Sequence, residues 1–294
     1  MHKTDHIYRI NEILNLIHSD ISADLPVKTL AKHAAFSEQY FHRLFKKVTG
    51  EPAHQYIRRT RLEAAANQLI FSPQLTVQVI AEECGFSSLS SFNKAFKSVY
   101  KTTPGEWRSR KKYAGKKHYL SDPELKEAFD RLIDAPLPEP DIVNLDPFEV
   151  AYIRHKGYGR LIRKSWQLLQ AWAISEKRPF TQQIGLHHSN PAIVPLDQCQ
   201  YVACIKIEKP VIRRGQINSA TIPGGLHAAF HFQGKYGELL PRISKIQEEW
   251  LPNSSYIART TPTLALYKKN QFLNNDDRFD LVFYLPISLK LGWS

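Results

Sequence analysis

Two short stretches of the chain carry side chains suited to reading nucleic-acid bases. Between Ser37 and Gly50, the apolar residues Phe41, Leu44, Phe45 and Val48 recur at helical spacing, which leaves Gln39, His42, Arg43 and Lys46 on the opposite face. Between Ser88 and Tyr100, Phe92, Phe96 and Val99 make the matching stripe, with Leu89, Ser90, Asn93, Lys94 and Lys97 opposite. Arg, Lys, Asn and Gln pair with purine edges, Leu contacts a thymine methyl, and the major groove of B-DNA admits one helix. Polarity alone does not distinguish such faces from ordinary solvated ones, so the elements that hold them must carry the argument.

Other chemistries find less support. His187-His188 and the pair His227 and His231 are metal-ligating types, but adjacent strand residues point to opposite faces and no Cys or acid cluster completes a set. The three cysteines, Cys84, Cys199 and Cys204, lack the spacing of a zinc ribbon or a disulfide framework and fit a reducing cytoplasm. No phosphate-binding loop, dinucleotide fingerprint or Gly-Xaa-Ser-Xaa-Gly elbow occurs, and no metal or other cofactor is expected. No run approaches the ~18 apolar residues of a membrane span, and the first residues lack the apolar core of a signal peptide. A cytoplasmic location with no membrane partner is the expectation.

The elements around the two polar faces repeat. Ile10, Ile13, Leu14 and Ile17 predict a first helix with one apolar face. Pro26 opens a short helix with Leu30 and Ala34 inward, Phe36-Ser37 makes a turn, and Ser37 caps the next helix. A long helix from about 52 to 70 follows. The phrase then recurs: Val77, Ile80 and Ala81 build a short helix ending at Cys84-Gly85-Phe86, and Ser87 or Ser88 caps its successor. Ala31, Phe36 and Ser37 match Ala81, Phe86 and Ser87 at a period of 50; Phe41, Phe45 and Lys46 match Phe92, Phe96 and Lys97 at 51. Two helix–turn–helix units joined by one long helix are predicted, each second helix able to lie in a major groove. Arg58, Arg59 and Arg61 on the long helix suit phosphates or salt bridges.

Charge follows the same division. The 294 residues hold 40 Lys+Arg against 28 Asp+Glu, a formal net charge of +12. Residues 1–118 carry 19 against 10, and residues 119–294 carry 21 against 18. Three quarters of the excess therefore sits in the first part, the footprint of a DNA-binding module joined to a near-neutral domain. A basic run from Arg108 to Lys117 and the extended Pro136-Leu-Pro-Glu-Pro140 mark a boundary. They divide the chain into an all-α domain at 1–111, a linker region with a short helix at 112–146, and a second domain at 147–294.

The stretch Leu30-Ala-Lys-His-Ala-Ala-Phe-Ser37, continued by Phe41-His-Arg-Leu-Phe-Lys-Lys-Val-Thr-Gly50, resembles the AraC/XylS family of bacterial transcription regulators. So does Ile80-Ala-Glu-Glu-Cys-Gly-Phe-Ser87, continued through Phe96-Lys97 to Thr103-Pro-Gly-Glu-Trp-Arg108. The resemblance spans about residues 8–110. It implies that both second helices enter successive major grooves on one DNA face, with base-reading positions at Gln39, His42 and Arg43, then at Ser90, Ser91 and Lys94.

The second half reads as short alternating apolar runs with two clear helices. A shift of 78 residues lays it on itself without gaps, Tyr158-Gly159 over Tyr236-Gly237 and Trp172 over Trp250. Each repeat reads strand, helix, strand, strand. Two β-α-β-β repeats predict an α+β domain in which two helices back an antiparallel sheet, with a pocket between the halves. Ile222-Pro-Gly-Gly-Leu-His-Ala-Ala-Phe230, Trp250-Leu-Pro-Asn-Ser254 and Tyr284-Leu-Pro-Ile287 resemble the GyrI-like effector-binding domain over about residues 147–290. The whole order of domains resembles that of right-origin-binding-protein-type regulators.

One departure from that family stands out. Its pattern aromatic–Glu–Xaa–Tyr is here Leu264-Ala265-Leu266-Tyr267, so the pocket carboxylate that pairs with cationic ligands, and serves catalysis in hydrolytic relatives, is absent. By the 78-residue shift His187 is the counterpart of Ala265, and Tyr152 that of Phe230. The expected pocket lining is Tyr152, His187, Phe230 and Tyr267, each of which could equally be a core residue. The expected function is a sequence-specific transcription regulator, not an enzyme, with double-stranded DNA as partner and a small-molecule or protein effector at the second domain. A GyrI-like hydrolase fused to a DNA-binding module is the alternative, as is a second domain that acts purely as an interaction module for RNA polymerase or another protein.

Overall fold

The computed structural model describes residues 6–109, 117–209, 211 and 216–290. The chain divides into two compact units, one built from residues 1–111 with 212–218, the other from 112–211 with 219–294.

The first unit is helical: α1 (Ile7–Ser19), α2 (Val27–His33), α3 (Glu38–Thr49), α4 (Ala53–Phe71), α5 (Val77–Glu83), α6 (Leu89–Tyr100) and α7 (Pro104–Ser109). The α1 stripe, Ile10, Ile13, Leu14 and Ile17, is buried against Leu30, Phe41, Phe45 and Tyr56. The two helix–turn–helix units share their local chemistry. Ser37 caps α3 by accepting from the Tyr40 amide, and Ser88 caps α6 by accepting from the Ser91 amide. In both turns the phenylalanine amide returns to the preceding helix at 2.9 Å, Phe36 to Ala31 and Phe86 to Ala81. The residue before each phenylalanine is left-handed, Ala35 at φ 52° and Gly85 at φ 77°.

Gly85 has a second reason to lack a side chain. The Arg61 guanidinium lies against it and donates at 2.7 Å to each of three carbonyls, Ile21, Ala23 and Gly85. One arginine thus ties the α1–α2 connection to the turn of the second helix–turn–helix. Val99, expected inward, is instead half exposed. Tyr100 takes the inner place at the end of α6, its ring 4.6 Å from Phe96 and 4.7 Å from Trp107.

The second unit is a nine-stranded sheet with helices on one face. Its elements are α8 (Pro123–Leu132), β1 (Asp141–Leu145), β2 (Phe148–Lys156), α9 (Ile162–Ser175), β3 (Gln183–His187), β4 (Gln200–Ile207), β5 (Asn218–Ile222), β6 (Gly225–Lys235), α10 (Leu239–Lys245), β7 (Tyr256–Ala258), β8 (Thr263–Lys269) and β9 (Arg278–Leu289). The order β1-β6-β9-β8-β3-β4-β2-β5 contains the two expected repeats, β2-α9-β3-β4 and β6-α10-β8-β9, meeting at the antiparallel β3–β8 pair.

The registers correct the ungapped shift. Ile205 on β4 and Phe283 on β9 stand 78 residues apart, but their partners Ala151 and Phe230 stand 79 apart, and their partners Gln183 and Ala265 stand 82 apart. The counterpart of Ala265 is therefore Gln183 rather than His187, and that of Phe230 is Ala151 rather than Tyr152. A one-residue change in register moves a side chain to the other face of a sheet, so this difference decides which residues can meet.

The segment 112–146, expected as a linker, contributes to the second unit. It carries the predicted short helix, α8, and also β1, which pairs with β6. Tyr119, Leu125 and Ala128 are buried, with the Tyr119 hydroxyl 2.9 Å from that of Ser244. Glu124 pairs with Arg160 of the first repeat, while Leu125 and Ala128 sit against Gly237 of the second. Residues 110–116 of the basic run lie outside the described residues.

Candidate nucleic-acid interface and effector pocket

All ten residues singled out for DNA reading are exposed: Gln39, His42, Arg43 and Lys46 on α3, and Leu89, Ser90, Ser91, Asn93, Lys94 and Lys97 on α6. Their helices are held from behind. Phe41 and Phe45 are wholly buried with ring centroids 5.4 Å apart, and Phe92 and Phe96 repeat the arrangement at 5.5 Å. The Arg43 guanidinium lies 5.3 Å from the centre of the Tyr40 ring, a contact that directs it without neutralising it. Leu89 is an exposed large apolar residue at the start of α6.

The three arginines of α4 have three different fates. Arg59 is flanked by Glu51 and Glu63, whose charges hold its guanidinium protonated against the cost of burial. Arg61 is spent on the three carbonyls described above. Arg58 is exposed and makes no hydrogen bond or ion pair among the described residues. Sequence alone left phosphates and salt bridges open for all three.

In the second unit, His187, Phe230 and Tyr267 lie on the helix-covered face of the sheet, whereas Tyr152 lies on the other. Tyr152 belongs to a separate apolar cluster with Val150, Ile184, Leu186, Val202 and Cys204. Its ring carries Arg154 at 5.5 Å. His187 and Tyr267 meet through Tyr201: the Tyr201 ring stands 5.3 Å from His187, and its hydroxyl 3.4 Å from that of Tyr267 while accepting from Trp166 Nε1 at 3.2 Å. Phe230 sits further along the same face, edge-on to Trp250 at 5.3 Å.

Tyr158 closes the cluster, 5.6 Å from His187 and 6.2 Å from Tyr201. Burial raises the hydroxyl pKa of Tyr158, Tyr201 and Tyr267 well above the usual phenol range. The same desolvation pushes His187 down to about 4, so its ring is neutral at pH 7, and its Nε2 is buried with no hydrogen-bond partner among the described residues. The residues that the sequence reading missed here are Tyr158, Tyr201 and Trp166. One signal pointed to Tyr201: a glycine, Gly185, inside a buried strand. A Cβ at Gly185 would overlap the Tyr201 hydroxyl, the close approach for which a strand glycine is retained.

The histidine pairs do not converge. His187 is buried in the aromatic cluster; His227 bonds the Gly225 carbonyl and His231 lies 3.5 Å from Asp141. Among the described residues no three His, Cys, Asp or Glu side chains are grouped to hold a metal ion. Burial pushes the Cys84 thiol up to about 12 and raises that of Cys204 further. No helix among the described residues is long and apolar enough to cross a membrane.

A duplicated helix–turn–helix followed by a duplicated α+β sheet domain defines a class, that of DNA-binding proteins carrying a ligand-binding module. Family models agree with each part. Residues 30–110 match a helix-turn-helix domain, and residues 138–288 match the GyrI-like small molecule binding domain. Over 106 residues the chain is 37% identical to the transposon Tn10 TetD protein of Escherichia coli, 36% of this chain and 76% of that one. Over 99 residues it is 34% identical to the HTH-type transcriptional activator AarP of Providencia stuartii, 34% of this chain and 73% of that one. It covers less of longer relatives: 42% of the probable transcriptional regulator LumQ of Photobacterium leiognathi, at 36% identity over 35% of this chain. The chain belongs to the AraC-type helix-turn-helix transcriptional regulators and, through its second unit, to the GyrI-like small molecule binding domains.

Proposed function

We propose that this regulator reads a specific DNA sequence through α3 and α6 and responds to a small molecule held by the aromatic cluster of its second unit. The observation that carries the first part is the exposure of ten polar or groove-compatible residues on two helices with the same serine cap, the same return of a phenylalanine amide and the same buried phenylalanine pair. Gln39, His42, Arg43 and Lys46 read one major groove; Leu89, Ser90, Ser91, Asn93, Lys94 and Lys97 read the next. In the second unit His187 and Tyr267 line the effector site with Tyr201 and Tyr158, and Phe230 flanks it. Tyr152 takes no part, being on the opposite face. The protein acts in the cytoplasm without catalysing a reaction. Ala265 at the centre of the sheet offers no carboxylate for hydrolysis or for a cationic ligand. RNA polymerase is the protein that the DNA-bound regulator contacts.

Genome-wide mapping of bound DNA tests the reading, followed by titration of the best-bound fragment. Arg43→Ala is expected to cost about 1–3 kcal/mol against the preferred base at one position and to relax preference there. Binding by the parent chain that stayed weak and sequence-blind across all fragments would overturn the assignment. For the effector site, thermal shifts of the full chain across a metabolite library, absent in His187→Phe, are the corresponding check.

A further inference from the structure

The helical unit contains a groove that only Ser91 and Lys94 of its base-reading residues border. It has a volume of about 620 Å³ and lies among the start of α2, the first half of α4, and α6. Its floor is apolar, with Leu25, Val27, Ile57 and Phe86; His54 and Arg58 reach it from α4 and Lys94 from α6, while Asp24 is its one carboxylate. Arg58 and Lys94 are exposed and form no ion pair among the described residues. Arg61, at the base of the groove, is held by carbonyls from both of its sides, at Ile21, Ala23 and Gly85. The groove width is thus set by a bonded side chain rather than left to loop motion.

We infer that this groove seats the sugar–phosphate backbone of the DNA between the two reading helices, with Arg58 as the residue that neutralises a phosphate there. The inference rests on the DNA-reading assignment of α3 and α6. Two helices in successive major grooves leave one minor groove and its flanking backbones between them, so the surface joining the helices must meet phosphate. The neighbouring arginines cannot serve. Arg59 is already matched by Glu51 and Glu63, and Arg61 has committed its guanidinium to carbonyls. Arg58 alone of the three retains its full charge toward solvent, one helical turn from His54 and facing Lys94 across the groove. Lys94 at the rim links the base-reading surface to this backbone seat. An arginine suits the task because its fork donates two parallel hydrogen bonds to phosphate oxygens.

The experiment titrates the full chain with a random-sequence duplex of about 30 base pairs, long enough for roughly two helical turns and flanks. Affinity is measured as a function of salt for the parent, Arg58→Gln, Arg58→Lys and Arg59→Gln. The slope of log K against log salt should lose about one in Arg58→Gln, with affinity lower by about eightfold at 0.1 M salt, the share of one released counterion. Arg58→Lys should restore most of the slope, and the melting temperature of Arg58→Gln should match that of the parent because no internal contact is removed. Arg59→Gln should lower the melting temperature and leave the slope alone. A parent slope retained in Arg58→Gln overturns the inference, even if Arg43→Ala relaxes base preference as expected. Failure of the parent to bind any duplex overturns the DNA-reading assignment itself. A slope lost in Arg58→Gln but not restored by Arg58→Lys, at unchanged melting temperature, also overturns the inference, since a lysine charge at the same position would release the same counterion.

Discussion

Both units are internal duplications, yet they place their functional residues on opposite sides of the packing. In the helical unit, each repeat turns its phenylalanines inward against the neighbouring helices and leaves the candidate readers in water. In the sheet unit, the two repeats join edge to edge at β3–β8, and the candidate ligand groups, His187, Tyr201 and Tyr267, lie under helices near the junction. An exposed reader can change with little effect on folding, since surface substitutions away from special features stay within about 0.5 kcal/mol. A buried binding group belongs to the core, so any change in specificity there is also a change in stability. The first unit separates recognition from folding, and the second couples them.

That contrast can be broken at several points. The largest effect is expected from Phe92→Ala, which removes a wholly buried ring packed on Phe86 and Phe96 and should cost about 3–5 kcal/mol in chemical denaturation of the helical unit. An equally large effect from Asn93→Ala, on the exposed side of the same turn, would contradict the separation.

Next comes pH. His187 titrates near 6.5 when unfolded and is pushed down to about 4 by burial in the fold. Above pH 6.5 the ring is neutral in both states and its titration contributes nothing. As pH falls toward 4 the unfolded chain takes up a proton that the folded one refuses, so stability drops by about 3 kcal/mol over that window. His187→Phe should flatten this part of the pH profile in urea titrations followed by tryptophan fluorescence. An unchanged profile would mean that the ring is not buried in the neutral form.

Arg61→Ala is expected to cost about 2–3 kcal/mol, because three carbonyls lose their donor and the tie between the α1–α2 connection and the second turn is cut. Thermal melting monitored by helix content would register it, and a neutral result would show that water replaces the guanidinium at little cost. The smallest effect belongs to Val99→Ser. With half of Val99 in solvent, its loss should change stability by no more than about 0.5 kcal/mol. A cost of 1 kcal/mol or more would restore the inward position that the apolar stripe predicted.

The helical unit was the more legible of the two, for a local reason. Caps, turns and stripes are made by residues within a few positions of one another, so Ser37, Phe41 and Gly50 announce a helix wherever they occur together. Val99 failed because the end of α6 is covered by Tyr100 and Trp107, a choice made by α7 and not by periodicity. The sheet unit kept its repeats visible but hid their register. Side-chain facing in a strand alternates with every residue, so the offsets of 79 and 82 in place of 78 sent Tyr152 to the wrong face and gave Ala265 a different counterpart. The linker reading failed for a related reason. Extended proline-containing chain looks the same whether it is solvated or followed by an edge strand, and β1 finds its partner β6 far along the chain.

From sequence alone came the two modules, the uneven sharing of the +12 charge, the duplicated helix–turn–helix and the polar faces of α3 and α6. All of these follow from short-range spacing and composition. Tertiary structure decided which arginine of α4 stays unpaired, which aromatic residues gather around His187, and where α8 lies. Each of those depends on partners tens of residues away, brought together by strand register and helix packing that no local pattern encodes.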